Sequence, residues 1–445
     1  MLAPILTRPP DGQVIAIMVV WNGLPFLAEG VASVLRELRS QDDLLIVDND
    51  STDGSATWLR QHYPNVSLLQ TGRNLGGAGG FNAGMTVALR CPRCRYIWLL
   101  DNDIIVEAGA LLPLLDQLGA DPNAGAAGSQ ICLYQQPNTV QEIGALLSPW
   151  LGALRQRGAG GPRQGPAHSP AKVDYLAACS LLIRADALRT IGLFPDFFIY
   201  YDDVEWGQRA RRVGWTLWAV PASVIRHHFS GLKPVVVWRE YYRKRNRIVF
   251  LALHPPRRGR GWALFIYLIY LHHLIRFARW NGHQLFARAY AEALSDALSG
   301  QLGARQFPPP SPALCDLPPA IHTASTIWID MPGQRGDADL IAQLLKKCIP
   351  NTPYRIIGEP SDLPLSSKRL VAIVGESCRI RTLLQATSVY QYRDNYLIPI
   401  KNPLRRALKL RLLRGLALLL ATFQAIPDFR RVWIRYRHGL VLPPE

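Results

Sequence analysis

The 445-residue chain is poor in sulfur, with seven cysteines and four methionines. Cysteines so few and scattered build no disulfide framework, so a reducing, cytoplasmic setting is expected. One pair, Cys91-Pro-Arg-Cys94, has metal-like spacing, but no second CxxC or HxxxH pair supplies the other half of a zinc site. Long apolar runs are lacking as well. Met1–Gly12 (MLAPILTRPPDG) has neither a basic start nor an apolar core, so no signal peptide is expected. The best membrane candidate, Trp262–Ile275, is interrupted by His272 and His273 and falls short of the ~20 residues a span needs, so it reads as interfacial or buried. Acidic charge is scarce: 33 Asp and Glu against 50 Lys and Arg, a net charge of +17. That excess points to an anionic partner, whether nucleic acid, an anionic membrane surface or a phosphorylated substrate. There is no internal repeat. What is present is apolar enough, at 49% hydrophobic and 19% charged, to exclude a largely disordered chain. The length predicts two or three domains at about 150 residues each.

The first hundred residues alternate strand and helix patterns. Val14–Val20 (VIAIMVV) is a continuous β-branched run, as a central parallel strand requires. A helix is predicted over Leu24–Leu38, a strand over Leu44–Val47, a helix over Ser55–Tyr63 and a strand over Val66–Gln70. A glycine-rich loop, Asn74–Gly84, leads to a further helix, and Tyr96–Leu100 is a fourth strand. This βαβαβ order predicts a parallel α/β sheet with right-handed crossovers. Such sheets bind ligands at the carboxyl ends of their strands. Asn22, Asp48–Asp53 and Asp101–Asp103 all fall there.

Four constellations carry chemistry. Asp101-Asn102-Asp103 places two carboxylates after a strand, where they can converge on Mg²⁺ or Mn²⁺, although surface turns share the pattern. Asp48-Asn49-Asp50-Ser51-Thr52-Asp53-Gly54 suits a helix-capping turn and, equally, a nucleotide pocket in which Asp48 accepts bonds from a base or ribose. Asn74–Gly84 (NLGGAGGFNAG) lets a backbone approach a ligand closely and expose N–H groups to phosphate or sugar. In Phe197–Arg212 (FFIYYDDVEWGQRARR), Asp202, Asp203 and Glu205 lie among aromatics that raise a carboxylate's pKa toward general-base duty; acids opening a solvated helix read the same way.

In this order and spacing the motifs resemble the inverting, GT-A-fold, family-two glycosyltransferases, over roughly residues 13–300. The matching pieces are VVWN at Val19–Asn22, VDNDSTDG at Val47–Gly54, RNLGGAGGFNAG at Arg73–Gly84, LLDND at Leu99–Asp103 and YYDDVEWGQRA at Tyr200–Ala210. Tyr241–Asn246 (YYRKRN) and Ala291–Gly303 also look like the family, and GGAGGF with DDVEW is most similar to its galactofuranosyl- and rhamnosyltransferase branches. Asp50 departs from the small residue common there and puts the base contacts in doubt. The resemblance implies a Rossmann-like GT-A domain and a nucleotide diphosphate sugar donor, UDP- or dTDP-linked, held by Asn22, Asp48, Asn74, Gly76, Gly77, Asp101 and Asn102. It implies a Mg or Mn cation on Asp101 and Asp103 and a base at Asp203, with Asp202, Glu205 and Trp206 shaping the acceptor site. A third metal ligand is expected at His227 or His228. The function implied is transfer of a galactofuranose- or rhamnose-like sugar to a glycan or lipid-linked acceptor in cell-surface polysaccharide synthesis. A non-catalytic nucleic-acid- or glycan-binding protein is the rival reading, and no nucleic-acid motif supports it.

The expected domains are the transferase at 1–305, a Pro-rich linker at 306–319, a small α/β accessory domain at 320–400 and a basic amphipathic helical tail at 401–445. Within the accessory domain, strands are predicted at Thr326–Ile329 and Val371–Val374, with a helix at Ala338–Lys347. In the tail, Leu404, Leu408, Leu412, Leu416 and Leu419 recur at helical spacing beside Arg405, Lys409 and Arg411. That pattern suits the anionic cytoplasmic face of a membrane and a peripheral location, or docking against the transferase. The Gly/Pro-rich segment Arg157–Pro170 is expected to be a weakly ordered lid.

Overall fold

A computed structural model describes residues 5–228, 237–281 and 283–306, the strands at 326–330, 354–356, 370–374, 388–393 and 396–399, and the helix at 403–436. Val14–Val20 is buried at every position and lies at the centre of the main sheet. It pairs in parallel with Asp43–Asp48 on one side and Tyr96–Asp101 on the other. The register sets Val20 opposite Asp48 and Val19 opposite Asp101, so both carboxylates arrive at the same edge. Across the whole sheet the order is Ile5–Leu6, Ser67–Gln70, Asp43–Asp48, Val14–Val20, Tyr96–Asp101, Ser180–Arg184, Ala124–Leu133, Thr216–His227, Ala171–Val173. Ser180–Arg184 enters antiparallel to both its neighbours, and the sheet is mixed beyond that point. This is the Rossmann-like GT-A arrangement that the family resemblance implies.

Alternation along the central strand builds two cores. Ile15, Ile17 and Val19 pack on one face with Ala78, Phe81 and Met85. Val14, Ala16, Met18 and Val20 pack on the other with Leu27, Val31, Leu111 and Leu114. The glycine-rich run corrects an expectation, because Gly76–Ala88 is a helix rather than a loop before one. Its glycines serve packing. A Cβ on Gly80 would stand 2.7 Å from Val19 Cγ1, and one on Gly84 would stand 2.5 Å from Ile17 Cγ2. The helix therefore lies closer to the sheet than side chains would allow, which repays the poor helix propensity of glycine.

Arg157–Pro170 lacks regular structure, as its composition requires, yet it is pinned rather than loose. Its backbone bonds run to Val140, Ile143 and Asn138, and Arg163 pairs with Glu107 at 2.7 Å. Those anchors argue against the expected lid.

A helical layer covers one end of the sheet. Val237–Leu253, Arg260–Asn281 and Gln284–Ser299 share a core with the end of the Pro403–Tyr436 helix. There Phe429 meets Phe265 edge-on, His272 reaches Asp428 at 2.9 Å, and Tyr436 donates its hydroxyl to Ala297 O. Gly261–Trp280 is long and apolar enough to cross a membrane, with 44% of it buried inside the protein. The expected linker and the helix expected at Ala338–Lys347 lie outside the described residues. The remaining strands form a second sheet, ordered Tyr354–Ile356, Thr326–Asp330, Leu370–Val374, Ser388–Arg393, Tyr396–Pro399. The side chains of Leu404, Leu408, Leu412, Arg405, Lys409 and Arg411 also lie outside the described residues, whereas Leu416 and Leu419 are exposed.

Candidate active site

The donor side is built from three strand ends. Asp48 is buried; its carboxylate accepts the Ser51 N–H at 3.2 Å and the Gln70 amide at 3.3 Å. Asn22 leaves the central strand at φ 50°, donates its N–H to Ser51 Oγ and accepts the Thr52 N–H at 2.8 Å, lacing two strand ends together. The acidic motif divides its labour. Asp53 makes a local turn into the next helix by accepting the Ser55 N–H across the cap residue Gly54, and also takes the Leu24 N–H. Burial opposes its charge, but these bonds hold its carboxyl below the ordinary value. Asp48 stays at the strand end. Asp50 occupies the left-handed region at φ 68°, which Asp tolerates better than most residues.

Asn74 accepts the Gly76 N–H at 2.8 Å. The position where Gly76 would carry a Cβ is filled by Phe198 O, 2.1 Å away, whereas Gly77 faces open space. Only Gly77 of this pair therefore has room beside it for a ligand. Asn102 lies with its amide against Gly23 at the start of a helix.

Asp101, Cys179 and His227 bring potential ligand atoms within 4.8 Å of one another. Asp103 Oδ1 lies 3.2 Å from His227 Nε2. The strand Thr216–His227 runs antiparallel to Ile104–Val106 with His227 opposite Ile104, and that register delivers the imidazole to the DxD turn. His227 Nδ1 lies 2.9 Å from Gln141 Oε1, so Nδ1 carries a hydrogen and Nε2 is the atom that faces Asp103. At 3.2 Å, either a proton or a cation between Nε2 and the carboxylate oxygen satisfies both. Two carboxylates and an imidazole are a fitting donor set for Mn²⁺ or Mg²⁺. The Cys179 thiol suits neither ion, and burial pushes its pKa well up. Burial and then Asp103 raise the Asp101 pKa to about 6. His228 donates its N–H to Asp103 O and stacks its ring on Tyr134, with centroids 3.6 Å apart.

The base side is a strained loop leading into a helix. Phe198, Tyr200 and Tyr201 all have φ between 65° and 69°. Such backbone persists only where the surroundings impose it. Here Asn246 Nδ2 lies 2.8–3.0 Å from the carbonyls of Phe197, Ile199 and Tyr200, and buried Arg245 donates to Phe197 O. Asp202 and Asp203 then open the helix Asp202–Arg212. Asp203 accepts the Ala178 N–H at 3.2 Å and the Val204 N–H at 2.8 Å, and the Tyr175 hydroxyl also bonds it. Burial outweighs these bonds and raises its pKa to about 6. Asp202 is pushed well up, first by burial and then by Asp203.

Glu205 and Trp206 are not brought to this site, contrary to expectation. Glu205 is buried between Arg209 Nε at 2.8 Å and His254 Nε2 at 2.9 Å. Trp206 lies in the sheet-face core with its indole N–H on Gly192 O. Glu205, two positions on, points away from the face of the helix that carries Asp203, and Trp206, although about one turn on from Asp203, is taken up by the core. Sequence reasoning missed Gln141, Glu142 and Tyr175, which come from strands and turns with no recognisable motif. Glu142 is buried, accepts from Gln156 at 2.7 Å and has its pKa raised by burial to about 7.

A family model described as glycosyl transferase family 2 matches residues 15–157. N-acetylglucosaminyl-diphospho-decaprenol L-rhamnosyltransferase of Mycobacterium tuberculosis (strain ATCC 25618 / H37Rv) is 30% identical over 273 residues, covering 55% of this chain and 85% of that protein. Galactofuranosyltransferase GlfT1 of the same strain is 29% identical over 211 residues, covering 45% of this chain and 66% of that protein. Galactofuranosyltransferase GlfT2 of Mycolicibacterium smegmatis (strain ATCC 700084 / mc(2)155) is 27% identical over 197 residues, covering 41% of this chain and 30% of that protein.

Proposed function

Because the chain belongs to glycosyl transferase family 2, we propose that it moves a rhamnose- or galactofuranose-like sugar, with inversion, from a nucleoside diphosphate donor to a hydroxyl of a lipid-linked glycan. The observation that carries this reading is the convergence of Asp101, Asp103 and His227 at one strand edge with Asp203 beyond them on a helix start. Support for the sugar and for a diphospho-lipid acceptor comes from the similar N-acetylglucosaminyl-diphospho-decaprenol L-rhamnosyltransferase and galactofuranosyltransferases.

Asp48, Asn22 and Asn74 line the donor side, where Asp48 accepts from the base and Gly77 leaves room for the sugar diphosphate. Asp101, Asp103 and His227 hold a Mn²⁺ or Mg²⁺ ion. When bound, that ion supplies positive charge against the diphosphate and stabilises it as a leaving group. Asp203 takes the proton of the acceptor hydroxyl. The hydroxyl oxygen bonds to the anomeric carbon on the face opposite the diphosphate, the bond from that carbon to the diphosphate oxygen breaks, and the electron pair leaves with the nucleotide. Tyr175 and the Ala178 N–H keep the Asp203 carboxylate aimed, and its raised pKa makes it a stronger base than an exposed aspartate. The basic excess and the exposed apolar residues of the helical layer support a peripheral position on an anionic membrane face.

A panel of UDP- and dTDP-sugars, screened for hydrolysis and for transfer to prenyl-diphosphate glycans with and without Mn²⁺, tests the reading. Turnover that vanishes in chelator and returns with Mn²⁺, with the anomeric configuration inverted in the product, is expected. Full activity in excess chelator, or retained configuration, overturns the metal or the inverting assignment.

A further inference from the structure

A cavity of about 650 Å³ outside the candidate site lies behind the base helix and carries unusual charge. Its walls come from three places: the hairpin Ala145–Gln156, the last turn of Asp202–Arg212, and the turn after Val237–Leu253. Four guanidinium groups line it, from Arg155, Arg211, Arg212 and Arg257, against one carboxylate, Asp174. Arginine does not lose its proton in proteins, so this excess is permanent. Asp174 is already committed to Arg211 at 2.6 Å and to the Leu147 N–H at 2.7 Å. Arg211 and Arg212 have an ordinary reason to be here, since cations suit a helix C-terminus. Arg155 and Arg257 have none: they arrive from separate elements and, among the described residues, neither has a hydrogen-bond or ion-pair partner. His254, also in the wall and 7% exposed, is committed through Nε2 to the Glu205 carboxylate. Like charges gathered from separate elements, with the one carboxylate among them already paired, mark a place for an anion.

The position of the cavity narrows which anion. Asp174 immediately precedes Tyr175, whose hydroxyl bonds Asp203. Phe250, in the wall, packs on Tyr201, the residue before Asp202, with ring centroids 5.5 Å apart. The cavity therefore lies on the side of the base helix, at the end about 12 Å along the axis from Asp203, and not at the strand ends that face the donor. Its rim is apolar and exposed. Trp150 and Leu151 form the hairpin tip, 58% and 46% exposed, and Trp262 starts the long apolar helix at 66%. The Arg258 and Gly259 N–H groups both bond Pro149 O, which ties tip to helix. A charged floor below an indole-rich rim fits an amphiphile with a phosphate head.

We propose that this pocket holds the diphosphate of a polyprenyl-diphosphate-linked acceptor, with the hydrocarbon chain leaving over Trp150, Leu151 and Trp262. The inference rests on the acceptor class argued above and adds the site that anchors it. Binding energy from the non-reacting diphosphate would present the sugar hydroxyl to Asp203.

The full-length protein in chelator, so that no divalent ion competes, is titrated with farnesyl diphosphate and with inorganic pyrophosphate. Farnesyl diphosphate is expected to bind at least about tenfold more tightly than pyrophosphate, because only it reaches the apolar rim. Combining Arg155→Ala with Arg257→Ala is expected to weaken farnesyl diphosphate by at least about tenfold, as loss of two charge-assisted contacts requires. Combining Arg93→Ala with Arg189→Ala, which removes the same charge from exposed surface pairs, is expected to leave it unchanged. Equal affinity in the Arg155/Arg257 variant overturns the pocket, and pyrophosphate binding as tightly as farnesyl diphosphate overturns the lipid. In turnover, the Arg155/Arg257 variant is expected to raise the acceptor KM with kcat nearly constant, and a fall in kcat alone overturns the anchoring role. Transfer to prenyl-diphosphate glycans with no sensitivity to Arg155 and Arg257 sinks this inference and spares the proposed function. Sensitive farnesyl diphosphate binding with no transfer to any such glycan does the reverse.

Discussion

The two halves of the site are made in different ways. The donor half is a set of strand ends, and three parallel strands in register deliver Asn22, Asp48 and Asp101 to one edge. The acceptor half has no such frame. Asp203 is aimed by a strained loop, that loop is clamped by Arg245 and Asn246 from a helix further along the chain, and Tyr175 arrives from a turn. Sheet register makes the donor half rigid by construction, whereas the acceptor half is held by a few polar contacts that single substitutions can remove. Donor recognition is therefore expected to survive changes that disable transfer.

Asp203→Asn should break the comparison most sharply. The amide keeps the shape but cannot take a proton, so kcat is expected to fall by about a thousandfold, within the range of positioned acid–base catalysis. Donor affinity by calorimetry should stay within about twofold, because no strand end moves. With Asp203 intact, kcat/KM should rise with pH through about 6, since its carboxyl titrates there and only the ionised form accepts the proton. A flat profile between pH 5 and 8 would remove Asp203 from that role.

Asn246→Ala tests the clamp. Losing the amide leaves the Ile199 and Tyr200 carbonyls without that donor beside backbone at positive φ, while Phe197 O keeps Arg245. A kcat loss of roughly ten- to a hundredfold and a lower melting temperature are expected, comparable to losing an orienting neighbour of a catalytic ligand. A normal kcat in a folded Asn246→Ala protein would show that the loop holds its own shape.

The same contrast explains what could be read from the sequence. Val14–Val20, the acidic turn after Asp43–Asp48 and the DxD were legible because each is a local pattern whose register carries its chemistry to the strand edge. Glu205 and Trp206 were assigned to the acceptor on the family resemblance, as part of its Asp-Val-Glu-Trp pattern. In the helix Glu205 faces away from Asp203, and each of the two meets a partner from another segment. Glu142, Gln141 and Tyr175 carried no local signal, since tertiary pairing alone makes them neighbours of the site. The helix was expected only after the glycine run, yet it starts within it at Gly76, because close packing on Val19 and Ile17 outweighs the poor helix propensity of glycine.

Gly84→Ala probes that packing in the donor half. The new methyl would stand 2.5 Å from Ile17 Cγ2 and 3.0 Å from Val47 Cγ2, in a buried sheet face. Overpacking of this kind costs about 1–3 kcal/mol, part of it offset by the better helix propensity of alanine. Chemical denaturation reads the loss, and unchanged stability would mean the helix can lift from the sheet without cost.

The smallest effect belongs to Glu142, and it depends on pH. Its pKa is raised by burial from 4.5 to about 7 in the folded protein. Between those values the folded state holds a proton that the unfolded chain has lost. Its contribution to stability is therefore complete below about pH 4.5 and disappears as pH rises through about 7. Above pH 7 the protein carries a buried charge bonded by Gln156, with the Asp203 carboxylate working against it and His227 in its favour. Glu142→Gln removes that charge, and its amide oxygen can still accept from Gln156. At pH 8 the substitution is expected to stabilise by about 2 kcal/mol, and at pH 4.5 by nearly nothing. Urea unfolding of both proteins in chelator at the two pH values measures the difference. A gain that is equal at both pH values would assign it to packing, and a loss at pH 8 would mean that the Glu142 carboxylate is favoured as a charge, paired with a cation at the edge of the site.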